Sequence, residues 1–189
     1  MYNISYQVVV DGLFVPDVFF DRDGTIEKID ALSDRGAMLG AARTSVRGWK
    51  FSPASKDGKA IPSRMTVSFL YRPPNYGNAG VVPSKSFSPV LPSDQSDSPH
   101  DKYVPLGILS FAYPEYPVNS VISGSVVVQV TVDGSGDVKD VEFLHGLANF
   151  NNFVSAALKH WRFQAATFNG KPITSKTVIA FAFQPPHSG

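Results

Sequence analysis

The sequence predicts an α+β fold made of two tandem units. Each is a three-stranded antiparallel sheet in the order β-β-α-β, with its helix packed on one face. Three observations predict it. Trp49 and Trp161 stand 112 residues apart in related settings, Gly48-Trp49-Lys50-Phe51 and His160-Trp161-Arg162-Phe163. Valines at 126, 128, 130 and 132 alternate with the period of a half-buried strand. Phe150, Phe153, Val154, Ala157, Leu158 and Trp161 recur with the spacing of one helix face.

Sliding the chain on itself by 112 residues extends the match without a gap from Gly12 to Pro74. Asp21 meets Asp133, Gly24 meets Gly136, Phe51 meets Phe163, and Gly58-Lys59 meets Gly170-Lys171. Ile61 meets Ile173, Ser63 meets Ser175, Phe69 meets Phe181, and Pro73-Pro74 meets Pro185-Pro186. The chain therefore divides into a first unit over 1–74, a Pro/Ser-rich linker over 75–107 and a second unit over 108–189. Units of this size are small for a self-sufficient core, so mutual docking would help them.

The second unit is the clearer. Its β-branched run over 125–132 is a strand, and Asp133-Gly134-Ser135-Gly136 is a turn in which glycine supplies positive φ. A return strand over 137–144 changes phase once, which predicts a bulge. The helix follows, ending in Lys159, His160 and Arg162, where positive charge suits the helix dipole. The turn Phe168-Asn169-Gly170-Lys171-Pro172 leads into a last strand over 175–183, stopped by Pro185-Pro186. In the first unit the helical stripe is Met38, Ala41, Ala42, Ser45, Val46 and Trp49; Gly40 and Gly48 weaken it, and Pro16 interrupts the first strand.

Composition narrows function. With 43% hydrophobic and 17% charged residues the chain is globular in character. Seventeen basic against 16 acidic residues give a net charge of +1, too little for a nucleic-acid footprint. The lack of cysteine excludes disulfides, thiolate catalysis and Cys-based zinc sites. No stretch reaches the ~18–20 apolar residues of a membrane helix, and residues 1–10 show no secretory leader pattern. His100, His145, His160 and His187 are scattered without metal-ligand spacing. Asp21-Arg22-Asp23-Gly24 reads as a hairpin turn, since no further calcium ligands follow. No nucleophile–base constellation, Walker motif or dinucleotide fingerprint is visible, so neither a catalytic site, a metal nor a cofactor is expected. Lys50 and Arg162 correspond across the units; helix-end charge complementarity accounts for them, and an acidic ligand is the rival reading.

The ordered set Tyr116-Pro117, Gly124, the alternating valines, Asp133-Gly134-Ser135-Gly136-Asp137-Val138, Ala156-Ala157-Leu158, Trp161-Arg162-Phe163, Asn169-Gly170-Lys171-Pro172 and Ile179-Ala180-Phe181-Ala182-Phe183 resembles the C-terminal domain of TonB-family energy transducers, and more distantly TolA. The first unit resembles it more weakly, through Asp21-Arg22-Asp23-Gly24, Gly48-Trp49-Lys50-Phe51 and Asp57-Gly58-Lys59. The resemblance implies a non-enzymatic periplasmic module that grips a protein or peptide, such as a segment of an outer-membrane receptor, and reaches the membrane only through an anchor outside this chain. The means it implies is β-augmentation, in which a peptide satisfies the unpaired groups of a sheet edge. The expected edge is the last strand, with Ser175, Lys176, Thr177, Val178, Ile179, Ala180 and Phe181 as peptide-binding residues, and Ser63–Tyr71 as its counterpart. Tyr113, Tyr116 and Pro117 are candidates for a lead-in beside that groove. The rival expectation is a self-contained pseudo-dimer, with the edges consumed between the units, acting as a scaffold or as an inhibitor- or immunity-type partner.

Overall fold

The computed structural model describes residues 12–31, 36–56, 58–71, 82–83, 103–117, 120–147 and 149–183. In chain order the elements are β1 (Gly12–Phe14), β2 (Pro16–Phe20), β3 (Ile26–Ala31), α1 (Gly36–Arg47), β4 (Ala54–Lys56), β5 (Lys59–Ile61) and β6 (Ser63–Tyr71). Then come β7 (Val82–Pro83), β8 (Tyr103–Val104), β9 (Gly107–Phe111), β10 (Gly124–Val132), β11 (Val138–His145), α2 (Asn151–Leu158), β12 (Arg162–Gln164), β13 (Ala166–Phe168), β14 (Lys171–Ile173) and β15 (Ser175–Phe183). Of the 75–107 stretch only 82–83 and 103–107 are described, and both parts carry strand pairs; Pro73-Pro74 and Pro185-Pro186 lie outside the described residues.

Local chemistry explains the individual elements. The alternating valines bury Val126, Val128, Val130 and Val132 completely, all at 0% exposure, on one face of β10. The expected bulge is present, as register shifts between Val127 and Val128 and between Thr131 and Val132. Pro16 breaks β1 from β2, yet both pair β6 in one antiparallel register, Phe14 opposite Phe69 and Asp17 opposite Thr66. The Asn169-Gly170 pair takes φ of 51° and 74°, the left-handed pair that a two-residue hairpin between β13 and β14 needs.

Two turn glycines are held by a further constraint. Gly24 and Gly136 have φ of 80° and 88°, and a Cβ on Gly24 would lie 2.7 Å from the Phe51 carbonyl oxygen. A Cβ on Gly136 would overlap the carbonyl oxygen of Phe163, the residue 112 positions beyond Phe51. In both halves, therefore, the hairpin turn is pressed against the backbone just after the tryptophan, and only glycine fits.

The two tryptophans have corresponding neighbours. Trp49 packs at ring distances of 6.3 and 5.9 Å on Phe51 and Phe69; Trp161 packs at 5.9 Å on both Phe163 and Phe181. Their surroundings differ in one respect. Trp161 is fully buried beneath Phe111, and its indole N–H donates to the Ala112 carbonyl at 3.0 Å. Trp49 stays half-buried, and although its backbone N–H donates to the Val46 carbonyl at 3.1 Å, its indole has no such partner among the described residues.

Seven strands assemble into the main sheet in the order β11-β10-β15-β6-β2-β3, with β1 also on β6, and the rest form the small sheets β12-β9-β7, β14-β13-β8 and β4-β5. Every neighbouring pair is antiparallel except β15 and β6, which are parallel. In that pair Phe69 is level with Ala180, and Leu70 with Phe181. Phe69 and Phe181, 112 residues apart, are thus one step out of level and point to opposite faces, because side chains alternate along a strand. Two cores result. Phe69 joins Phe14, Val18, Phe20, Ile29, Ala42, Val46, Val67, Val178 and Ala180 under α1. Phe181 joins the β10 valines, Phe150, Val154, Leu158 and Trp161 under α2. The helices therefore cover opposite faces of a continuous sheet.

Candidate functional site

The strand expected to offer an open edge is paired on both sides. β15 runs antiparallel to β10 from Ser175 to Phe183, and β6 pairs its other margin over 178–182. Thr177, Val178, Ile179, Ala180 and Phe181 are 0–8% exposed. Only Lys176 is exposed, with Ser175 half-buried. The expectation of a free edge at 175–181, and at Ser63–Tyr71, is corrected accordingly. Each strand fills the other's vacant margin, and their apolar runs suit burial on both faces.

A polar seam marks the join. On the face opposite α1, Asp17 and Arg64 form an ion pair in which the guanidinium donates to Asp17 Oδ2, with side chains 1% and 8% exposed. Thr177 Oγ1 donates to the Thr66 carbonyl at 2.8 Å across the parallel pair. Among the described residues Asp17 Oδ1 and Ser68 Oγ are buried without a hydrogen-bond partner. Burial raises the Asp17 carboxyl above its usual range, with Arg64 offsetting part of that effect. Burial likewise raises the Tyr103 phenol. Sequence spacing did not reveal this pair, because its partners come from different strands 47 residues apart.

The lead-in residues pack on the second core. Tyr113 meets Phe111 edge-on at 5.4 Å. Tyr116 contacts Phe150 and Phe183 and donates its hydroxyl to the Ile122 carbonyl at 2.7 Å. The Pro117 carbonyl accepts from the Ser120 N–H. Tyr116 thus sits at the end of β15 and the start of α2, not along the margin of β15. Among the described residues no helix is long and apolar enough to cross a membrane, and no three His, Asp or Glu groups are placed to hold a metal.

Unpaired edges lie at the two ends of the sheet. Among the described residues β3 pairs only with β2, and β11 only with β10. Beside each edge, between it and the end of the overlying helix, is an open groove. The first, about 630 Å³, is lined by Ile26, Ile29, Trp49, Phe51, Arg47 and Lys50, with Asp23, Glu27 and Lys28 toward the hairpin turn. The second, about 520 Å³, is lined by Val138, Val141, Leu158, Lys159 and Arg162, with Asp137 near the turn. Ile26 and Val138, Ile29 and Val141, Arg47 and Lys159, and Lys50 and Arg162 correspond at the 112-residue offset.

Comparison with known proteins finds a likeness over part of the chain. No curated protein matches it. Among solved structures, it is similar to the solution NMR structure of the Pseudomonas aeruginosa TonB CTD, with 24% identity and a TM-score of 0.38, over 44% of this chain and 90% of that one. Residues 110–185 match the family described as Gram-negative bacterial TonB protein C-terminal, whose domains are non-enzymatic and mediate protein interactions in energy transduction at the bacterial envelope.

Proposed function

We propose that the chain is a non-enzymatic protein-interaction module of a TonB-type envelope energy-transduction or transport system. It acts in the periplasm and engages an extended segment of a protein partner by strand addition. The observation that carries this reading is the family match over 110–185. The chain is further proposed to be a tandem duplication. Supporting this are the strand bounds Ser63–Tyr71 and Ser175–Phe183, offset by 112, and the paired glycine and tryptophan packing described above.

Magnitudes decide where a strand is added. A peptide entering at 175–181 must first displace β6, uncovering Val67, Phe69 and Leu70, which are at most 5% exposed. Each such side chain is worth ~1.5–3 kcal/mol when fully buried, so three represent up to ~5–9 kcal/mol. That approaches the whole binding free energy of a micromolar complex, ~8 kcal/mol. Strand addition at the outer edges β3 and β11 carries no such penalty.

A second reading is favoured by one observation, the β6–β15 pair itself. In that reading the chain is a self-contained pseudo-dimeric scaffold, its halves related by a half-turn about an axis along the strands, presenting some other surface. Amide hydrogen exchange with and without a synthetic outer-membrane-receptor peptide separates the readings. Added protection at β3 or β11, with β6 unchanged, is the result expected of outer-edge addition. Loss of protection over 64–71 assigns binding to β15 by exchange with β6. No change at any strand leaves the scaffold.

A further inference from the structure

We propose that the two outer grooves are equivalent docking sites for extended, acidic peptide segments, so that one chain takes two of them. The inference rests on the reading of the chain as a strand-adding module and supplies that reading with a site and a partner chemistry.

Each groove combines three features. An edge strand leaves alternate N–H and C=O groups facing outward for another strand. Beside it is an aliphatic strip, Ile26 with Ile29 in one groove and Val138 with Val141 in the other, half-buried except for Ile29, which is buried. At the helix end stand two exposed cations, Arg47 with Lys50 and Lys159 with Arg162.

Carboxylates share each groove with these cations, Asp23 and Glu27 in the first and Asp137 in the second. Counting all lining residues, three cations against two carboxylates in the first groove and two against one in the second leave each at +1. Among the described residues Arg47, Lys50 and Lys159 enter no ion pair, whereas Lys28 is engaged by Asp30 at 2.7 Å. The Arg162 guanidinium donates to the carbonyls of Lys159 and Trp161, which fixes its head at the groove mouth. Complementing the helix dipole calls for roughly half a positive charge, and two cations exceed that. The surplus suits an acidic side chain on a strand laid along the edge. On that strand the apolar residues and the acidic one share the groove-side face, at every second position, with the apolar ones over the aliphatic strip and the acidic one at the cations.

The test uses the full chain and a labelled peptide with valine at positions 1 and 3, glutamate at position 5 and threonine between them, six residues long to match the six of β3, with the same peptide carrying lysine at position 5 as control. Titration is expected to give two equivalents of the acidic peptide, which binds roughly tenfold or more tightly than the control, an advantage that fades in high salt. Arg47→Glu/Lys50→Glu is expected to remove one equivalent and added protection at β3. Lys159→Glu/Arg162→Glu is expected to remove the other, at β11. Because Arg162 also satisfies helix-end carbonyls, Lys159→Glu alone provides the check if the double variant loses structure. Equal binding of the two peptides, a stoichiometry insensitive to the reversals, or protection appearing at β15 would overturn the proposal. If a receptor peptide protects β3 or β11 in the reversal variants as well as in the parent, the strand-adding reading stands and the acidic preference fails. If the acidic peptide binds twice while receptor peptides alter no strand, the grooves stand and the transducer reading fails.

Discussion

Replacing Arg64 by methionine tests the seam between the two halves. Arg64 and Asp17 are 8% and 1% exposed, so the substitution strands a carboxylate in a site with almost no access to water. Removing one partner of a buried pair costs ~3–5 kcal/mol, against ~0–1 kcal/mol for a surface pair. Loss of the guanidinium above the Phe19 ring, at 5.0 Å, adds ~0.5–1 kcal/mol. The sign with pH is fixed by Asp17. Its carboxyl is already raised above 3.8 by burial, and Arg64 supplies the main effects that lower it. A raised folded-state value means that Asp17 favours the fold below its unfolded pKa and that this contribution is lost as pH rises through the folded value. Without Arg64 the folded value climbs further. The deficit of Arg64→Met is therefore larger at pH 8 than at pH 4. Urea unfolding followed by circular dichroism at the two pH values reads both quantities. The double variant Asp17→Leu/Arg64→Met is expected to recover most of the loss. A deficit below ~1 kcal/mol at pH 8, or one indifferent to pH, would refute the reasoning.

Other substitutions probe the paired features of the halves. Trp161→Ala is expected to lose ~3–5 kcal/mol, as large buried aromatics do, and half-buried Trp49→Ala clearly less; denaturant melts compare them. Acrylamide quenching of Trp49→Phe is expected to be weak, because the remaining indole is fully buried. Gly136→Ala forces a Cβ onto the Phe163 carbonyl and is expected to lose more than Gly170→Ala, whose site is open and which loses only the ~1–2 kcal/mol of a left-handed residue. Asp133 is held below the usual carboxylate range, first by the Ser135 hydroxyl at 2.6 Å, then by the Asp137 N–H and Lys139. Its contribution is present above the unfolded value of 3.8 and fades as pH falls, so the melting-temperature gap between the parent and Asp133→Asn narrows in acid.

Local elements of the fold were legible because their signals are local. The valine alternation, the Asp133-Gly134-Ser135-Gly136 turn and the Phe150-to-Trp161 stripe each state a period or a φ requirement within a dozen residues. The place of β15 in the sheet was not read, although its signal was present. Val178-Ile179-Ala180-Phe181 is an unbroken apolar run, the mark of a strand buried on both faces, whereas a half-covered edge alternates. Val67 and Phe69-Leu70 carry a fainter form of it. The parallel pairing and its one-residue slip from the 112-residue offset depend on how two halves meet, which no window contains. The Asp17–Arg64 pair was hidden for the same reason. The grooves were half visible: Lys50 and Arg162 stood out as corresponding cations, but only the folded sheet sets them beside unpaired edges.

Nuclear Overhauser contacts between amide and α protons of 67–71 and 178–182 measure the join directly. Contacts in the parallel register, Val67 with Val178 and Leu70 with Phe181, together with slow exchange of the amides along β15, are the predicted result. Absence of those contacts, with amides of 178–182 exchanging at the rate of an open edge, would contradict the account.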